Sequence, residues 1–277
     1  MAIKDNRIVY NRPESVIIDT EQYIIKYGSV EQSRSKFFNI GAAAWEHPCW
    51  TNLDLPAQTR DFAKIQSPCI HHDLVNNSKL PIQSASVDAF YCSHVVEHIP
   101  ESAVLSMMKE SFRSLNKDGV LRISTGPCSD LDWSALMRKD SQWWFWDENF
   151  DLEGDSPPMT IYDRWLYEEA TPKSPYSKTK FDKKYTSSEV ETLVKKYKES
   201  PELLLDIVTD SIQFDPSSAG DHITWWNYDK LRDYLLKAGF KNIYRSGYGQ
   251  SSSPWMRDLT YFDQTYPQIS VYIEAIK

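Results

Sequence analysis

The chain has 277 residues, 41% hydrophobic and 25% charged, with 31 basic against 39 acidic side chains and a net charge of −8. That balance offers a nucleic-acid backbone no general attraction, because such binding rests on basic clusters, and no run approaches the ~18 apolar residues of a membrane span. The four cysteines (Cys49, Cys69, Cys92 and Cys128) lack paired spacing and the N-terminus lacks an apolar signal core, so free thiols and a cytoplasmic location are expected.

Residues 1–35 read as an N-terminal arm ahead of the first clear strand, Lys36–Ile40. Trp50–Leu53 and the short run from Ile70 to Asp73 are the next strands, followed by Ala89–Ser93 and Val120–Thr125. Between the last two, Val104, Leu105, Met108, Phe112 and Leu115 recur at helical spacing over Glu101–Leu115, with Pro100 at the start and Gly119 of NKDG as the turn beyond it. Strands separated by helix-length segments predict a parallel sheet with crossover helices.

From Ser129 to Ser217 the character changes: Trp133, Trp143, Trp144, Trp146 and Trp165 stand among tyrosines, prolines and charges without a strand period. The segment is too aromatic for a disordered linker. It reads as an insertion over the sheet edge that forms a substrate cap with a small core of its own. The basic runs Lys178–Lys184 and Lys195-Lys196 lie among acidic residues and read as solvated surface. Past the insertion, Leu231, Leu235 and Ala238 mark a helix with Asn227 as N-cap and Gly239 as stop. The strands Phe240–Gly247 and Ile269–Ile276 then close the chain, and a single domain over residues 1–277 is expected.

Residues with chemical potential gather where strands end. Gly41 follows the first strand, Asp54 the second, Asp73 the third, Ser93-His94 the fourth and Gly126 the fifth. In an open parallel sheet ligands sit at these carboxyl ends. Small residues there admit backbone N–H groups to a ligand, and a carboxylate after the second strand can accept both hydroxyls of a ribose. Each feature also has a plain reading as a turn or a helix cap. The pair His71-His72 with Asp73 has no second ligand pair at matching spacing, and no metal is expected.

The stretch from Ile70 to Thr125 resembles the central part of a class I S-adenosylmethionine-dependent methyltransferase of the type 11 kind. The matching motifs are Asp73-Leu74, Leu80-Pro81, Ser86-Val87-Asp88, SHVVEHI (Ser93–Ile99), Leu115 with Asp118-Gly119, and Val120–Thr125. The tail HITWWNYDKLRDYLLKAGFKNI is similar to the family's late helix and its AGF turn. The resemblance implies an α/β, Rossmann-like seven-stranded sheet of order 3-2-1-4-5-7-6 with the last strand antiparallel, and S-adenosyl-L-methionine as cofactor. It places Gly41, Ala42 and Ala43 at the methionine moiety, Asp54 on the ribose, Asp73 and Leu74 beside the adenine, and Ser93 and His94 near the sulfonium.

Three departures stand out, one of them Trp45, which sits where many relatives have a small residue and could fill the cofactor pocket. Asn39 occupies the position where the family carries an acid for the cofactor's ammonium, and Ala43 replaces the second glycine, an exchange that clashes if φ there is positive. Trp50-Thr51-Asn52-Leu53-Asp54 is similar to a variant found beside glycan-building enzymes, which implies a small-molecule or glycan acceptor methylated on oxygen. Such an acceptor needs a base, and Glu97, His98 and His222 are the candidates. Against these stand the structural roles of residues that open a helix, and core packing for Trp225 and Trp226. Two alternatives stay open, a catalytically silent binding protein on the same fold and a nucleotide-dependent oxidoreductase. The absence of GxGxxG after the first strand weighs against the latter.

Overall fold

The computed structural model describes residues 2–4, 7–9, 17–55, 67–145, 159–178 and 184–277. Its centre is a seven-stranded sheet of β1 (Phe37–Ile40), β2 (Thr51–Asp54), β3 (Cys69–His71), β4 (Val87–Ser93), β5 (Leu115–Thr125), β6 (Asn242–Arg245) and β7 (Val271–Ile276). The spatial order is β3-β2-β1-β4-β5-β7-β6. β1 to β5 run parallel, with Phe38 opposite both Thr51 and Phe90, and β7 runs antiparallel to β5 and β6. This is the order expected from the sequence. β1 is buried along its whole length, as a central strand covered on both faces must be.

β5 begins earlier than its apolar run. Leu115 pairs with Val87, and the backbone of Asp118 and Gly119 is bonded to Lys277. The left-handed residue in NKDG is Asp118 (φ 64°), whereas Gly119 is small for lack of room: a Cβ there would lie 3.0 Å from the Asn116 carbonyl.

One face of the sheet is covered by α3 (Glu101–Ser114) and α8 (Tyr228–Ala238). Val104 and Met108 are buried as their spacing predicts, together with Ala103 and Met107, while Leu105 and Phe112 are half-buried against the same core. Asn227 caps α8 by accepting from the Lys230 N–H at 2.9 Å, Gly239 ends it at φ 110°, and Leu231, Leu235 and Ala238 are buried. The other face is covered by α1 (Thr20–Tyr27) and α2 (Val30–Arg34) together with residues 254–262. Tyr23, Phe37, Trp50, Tyr91 and Phe262 pack there. Each such side chain contributes roughly 1.5–3 kcal/mol on burial. Residues from this segment, Ile18, Tyr23, Tyr27 and Val30 among them, pack against this face of the sheet.

The insertion contributes α4 (Ser129–Arg138), α5 (Ile161–Glu169), α6 (Ser187–Lys196) and α7 (Pro201–Thr209) around a separate core of Leu136, Trp144, Trp165, Leu166, Val190, Leu204 and Trp225. Trp226, next in sequence to Trp225, points instead into the main core. Both tryptophans are core residues, with Nε1 donating to Asp206 and to the Val96 carbonyl respectively. Trp146 and the basic residues Lys180 and Lys183 lie outside the described residues. Among those described, no helix is long and apolar enough to cross a membrane.

Candidate active site

The sheet order reverses between β1 and β4, and there the carboxyl ends open into a cavity of about 340 Å³. The loop after β1 forms its floor. Gly41 has φ +69°, and a Cβ on it would stand 2.3 Å from Val95 Cγ2, so only glycine fits. Its N–H donates to the Leu53 carbonyl at 2.8 Å and ties the turn to β2.

Ala43 also adopts the left-handed region, at φ 47°. The clash expected for a methyl group there does not arise, because Ala43 is half-buried on the cavity wall; what remains is a backbone cost of roughly 1–2 kcal/mol. That conformation aims the Ala43 N–H at Asp54 Oδ2 (2.7 Å), while Asp54 Oδ1 accepts from Leu55 (2.7 Å). Trp45 does not fill the cavity. Its Nε1 donates to the Tyr261 carbonyl at 2.6 Å and its ring lies against Trp50, Tyr91 and Phe262 in the wall.

Asn39, Gly41, Ala42, Ala43, Asp54, Ser93 and His94 all line this cavity. Asp73 and Leu74 do not. β3 ends at His71, so Asp73 lies past the strand and accepts from the Val75 and Asn76 N–H groups, while Leu74 packs on the main core. Ser67, Cys69 and His71 instead face an adjoining space of about 260 Å³ shared with Ala42, Ala43, Asn52 and Asp54. The sequence pointed to none of those three, nor to Phe214, Tyr261, Gln264 and Thr265 on the far wall, which reach the cavity only through the tertiary fold.

The residues singled out as bases converge at one point. Glu97 and His98 belong to a short 3₁₀ turn after β4 (Val96–His98), and His222 belongs to a strap bonded to that turn, with the Ile223 N–H donating to the Glu97 carbonyl at 2.9 Å. The Thr224 hydroxyl donates to the Val96 carbonyl at 2.9 Å. Glu97 is 2% exposed; its Oε2 accepts from Thr125 Oγ1 at 2.7 Å and its Oε1 lies 3.1 Å from His94 Nδ1 and 3.9 Å from His98 Nε2. The rings of His98 and His222 are 5.0 Å apart.

Burial works to raise the Glu97 carboxyl, but the His94 contact and the neighbouring imidazoles outweigh it and bring it down to about 2. Burial, with His98 beside it, pushes His222 down to about 4, so this ring is neutral near pH 7. His94 itself sits at φ 53° at the end of β4, its Nε2 against Ser270 Oγ at 2.8 Å. Gly126 leaves room for the ring, since a Cβ there would come within 2.9 Å of His94 Cε1.

His98 also lines a second cavity of about 320 Å³, bounded by Pro172, Ile212, Gln213, Phe214, Asp221 and Ile223 from the insertion and the strap. The two cavities share His98 and Phe214 as walls. A space at the switch point thus adjoins a second one walled in part by residues 172 and 212–214.

A family model described as a methyltransferase domain matches residues 43–123, from the Ala43 turn to the middle of β5. The strand order β3-β2-β1-β4-β5-β7-β6 is that of the class I S-adenosyl-L-methionine-dependent methyltransferase fold, and the methyltransferase-domain match runs from β2 into β5. Among solved structures the chain is similar to a SAM-dependent methyltransferase from Archaeoglobus fulgidus, at 10% identity, covering 94% of this chain and 95% of that one with a TM-score of 0.43. It is also similar to a protein from Thermotoga maritima described as a possible histamine N-methyltransferase, at 12% identity, 93% of each chain and a TM-score of 0.39. A third is an S-adenosylmethionine-dependent methyltransferase from Mesorhizobium loti, at 12% identity, 94% and 98% coverage and a TM-score of 0.39. No curated protein matches the sequence.

S-adenosyl-L-methionine is the cofactor of this class, and the residues present suit it. Gly41, Ser93 and His94 line the cavity, and Asp54 at the end of β2 keeps a further lone pair on each oxygen beyond its bonds to the Ala43 and Leu55 N–H groups. Asn39, 2% exposed, lines the cavity with an amide that can accept a hydrogen bond without contributing a charge.

Proposed function

We propose that the protein transfers the methyl group of S-adenosyl-L-methionine to a hydroxyl oxygen of a small-molecule or glycan acceptor held under the cap. The observation that carries this reading is the meeting of the two cavities at His98 and Phe214: one has the polar floor of a nucleotide site, the other is walled by the insertion. Methyl transfer is an in-line displacement at a carbon that the sulfonium has already activated, so the protein's main contribution is to position donor and acceptor. The acceptor oxygen attacks the methyl carbon as the carbon–sulfur bond breaks, and its proton must leave.

In this reading Gly41, Ala42, Ala43 and Asn39 hold the methionine end and Asp54 the ribose. Ser67, Cys69 and His71 take the adenine side in place of Asp73 and Leu74, while Ser93 and His94 flank the sulfonium. Glu97, His98 and His222 receive the acceptor's hydroxyl. A polar cluster at the shared wall suits a hydroxyl acceptor, whose proton has to be taken up as the new bond forms. The glycan alternative follows from the resemblance of the WTNLD segment. All four cysteines are free, which suits a cytoplasmic protein.

Calorimetric titration with S-adenosylhomocysteine, with NADH as control, tests the reading. We expect micromolar binding of the former only. Asp54→Ala removes two charge-assisted hydrogen-bonding positions and should weaken it about 10–100-fold, given ~1.5–3 kcal/mol for a hydrogen bond to a charged group. A folded protein that gives no heat with S-adenosylhomocysteine leaves the silent binding protein as the correct reading, and heat with NADH alone favours the oxidoreductase.

A further inference from the structure

The ligand atoms of Glu97, His98 and His222 all lie within 4.8 Å of one another. Their hydrogen bonds determine which atoms are left to face inward. His98 Nδ1 is 3.1 Å from the Asp221 carbonyl and His222 Nδ1 is bonded to the Glu168 carbonyl, and a carbonyl can only accept. Both rings therefore carry the proton on Nδ1, and each turns a bare Nε2 lone pair toward the cluster. Glu97 Oε2 accepts from the Thr125 hydroxyl, and the buried Oε1, 3.1 Å from His94 Nδ1, keeps a further lone pair for the cluster.

Toward one another these three groups offer only lone pairs, and a cation between them would be held by all three. An imidazole whose other nitrogen donates to a carbonyl, and a carboxylate held by a hydroxyl, are the arrangements in which histidine and glutamate ligate metals. We infer that Glu97, His98 and His222 form a binding site for a first-row divalent cation at the junction of the two cavities.

Two imidazole nitrogens and one carboxylate oxygen suit Zn²⁺, Co²⁺, Mn²⁺ or Fe²⁺ better than Mg²⁺ or Ca²⁺, which prefer oxygen ligands throughout. The geometry needs little adjustment. Three atoms up to 4.8 Å apart lie up to about 2.8 Å from their centre, and bonds of ~2.1 Å require each side chain to move inward by about 0.7 Å at most. The strap that carries His222 is fastened at both ends, by the Ile223 and Thr224 N–H groups to the Glu97 carbonyl and by the Thr171 N–H to the His222 carbonyl, so the site is preformed on backbone.

Three protein ligands leave open positions, and His98 exposes the ion to the acceptor cavity. This part of the inference rests on the methyltransferase reading. An acceptor hydroxyl bound to the ion loses its proton to water at the cavity mouth. The resulting oxyanion forms the oxygen–carbon bond as the carbon–sulfur bond breaks, and the electron pair passes to sulfur to leave S-adenosylhomocysteine. The acceptor class is accordingly a hydroxyl compound able to place an oxygen on a metal ion.

The test uses the full chain after dialysis against chelator, titrated with CoCl₂ and followed by visible absorption, with ZnCl₂ in competition and MgCl₂ and CaCl₂ as controls. We expect one equivalent of Co²⁺ to develop a visible d–d band that Zn²⁺ abolishes, and both ions to raise the melting temperature. His222→Gln should weaken Co²⁺ binding by more than ~100-fold, whereas Thr125→Val, which only loosens a ligand, should cost ~10–100-fold. The wild-type titration decides the matter even if a variant fails to fold. Absence of a band and of any melting shift overturns the inference, as does a band undiminished in His222→Gln, and stabilisation by Mg²⁺ or Ca²⁺ alone overturns the assigned class of ion. S-adenosylhomocysteine binding measured on the same metal-free protein separates the two readings: if it persists while Co²⁺ does not bind, the metal site fails and the methyltransferase stands.

Discussion

Two buried charged clusters flank the central strands, and they are built to opposite rules. Behind β5, Arg122 is fully enclosed. Its guanidinium donates to Asp263 at 2.6 and 3.1 Å, to Glu274 at 2.8 Å, to Ser246 Oγ at 2.8 Å and to the Gly247 carbonyl at 2.8 Å. The carboxylates are in turn served by the Ser252 hydroxyl and the Gly249 N–H. No buried polar atom of the Arg122, Asp263 or Glu274 side chains lacks a partner. In front of the sheet, at the end of β4, Glu97 is met by Thr125 and His94 and also faces the imidazoles of His98 and His222, and a cavity opens beside them. A closed cluster holds strands together, whereas an open one with surplus acceptors is held ready for something that enters from outside.

The comparison breaks first at Arg122. Arg122→Met leaves Asp263 and Glu274 buried without a counter-charge, and a loss of about 3–5 kcal/mol in urea-unfolding free energy is expected. A loss below ~1 kcal/mol would mean that the cluster is not the strand-binding element described here.

The open cluster should betray itself through acid. His222 is held below its ordinary value, at about 4 against 6.5. In this pH range the unfolded chain binds the proton that the native site refuses, so stability rises with pH and falls as pH drops through that window. The contribution is up to about 3 kcal/mol between pH 6.5 and pH 4. Denaturant melts across that range should show the loss in wild type and a flatter profile in His222→Gln, while Arg122→Met keeps the wild-type slope.

A third buried acid sharpens the contrast at smaller scale. Glu169 at the end of α5 accepts from Ser129 Oγ at 2.6 Å, but its Oε1 has no hydrogen-bond partner. Burial and the nearby Asp132 raise its carboxyl well above the usual range. A raised carboxyl stabilises the fold at low pH and ceases to do so as pH climbs past it. Glu169→Gln should therefore raise the melting point at neutral pH by an amount worth about 1 kcal/mol, and the difference from wild type should shrink toward pH 4. An equal effect at both pH values would show that packing, not charge, is responsible.

The sequence was most legible where one strand or one helix decides the outcome. The apolar runs at Phe37, Ala89 and Val120 and the Leu231–Leu235–Ala238 stripe with its Asn227 cap and Gly239 stop all lie where local patterning places them. Legibility fell where a partner distant in the chain decides. α1 and α2 are short, and only their burial of Tyr23 and Trp50 against β1 makes them part of the fold. Asp263 and Glu274 are ordinary acids until β7 brings them to Arg122. Each of Glu97, His98 and His222 was visible as a reactive side chain, but their convergence depends on the strap folding back over the 3₁₀ turn. Asp73 and Leu74 missed the cavity for a simpler reason, because β3 stops two residues short of them.

The most direct measurement of the central claim is a crystal structure with S-adenosylhomocysteine bound. The account predicts the ribose hydroxyls on Asp54, the homocysteine along Gly41–Ala43, and the sulfur turned toward His94 and the cavity beyond His98. A ligand with its ribose away from Asp54, or with its sulfur facing away from the capped cavity, would contradict it.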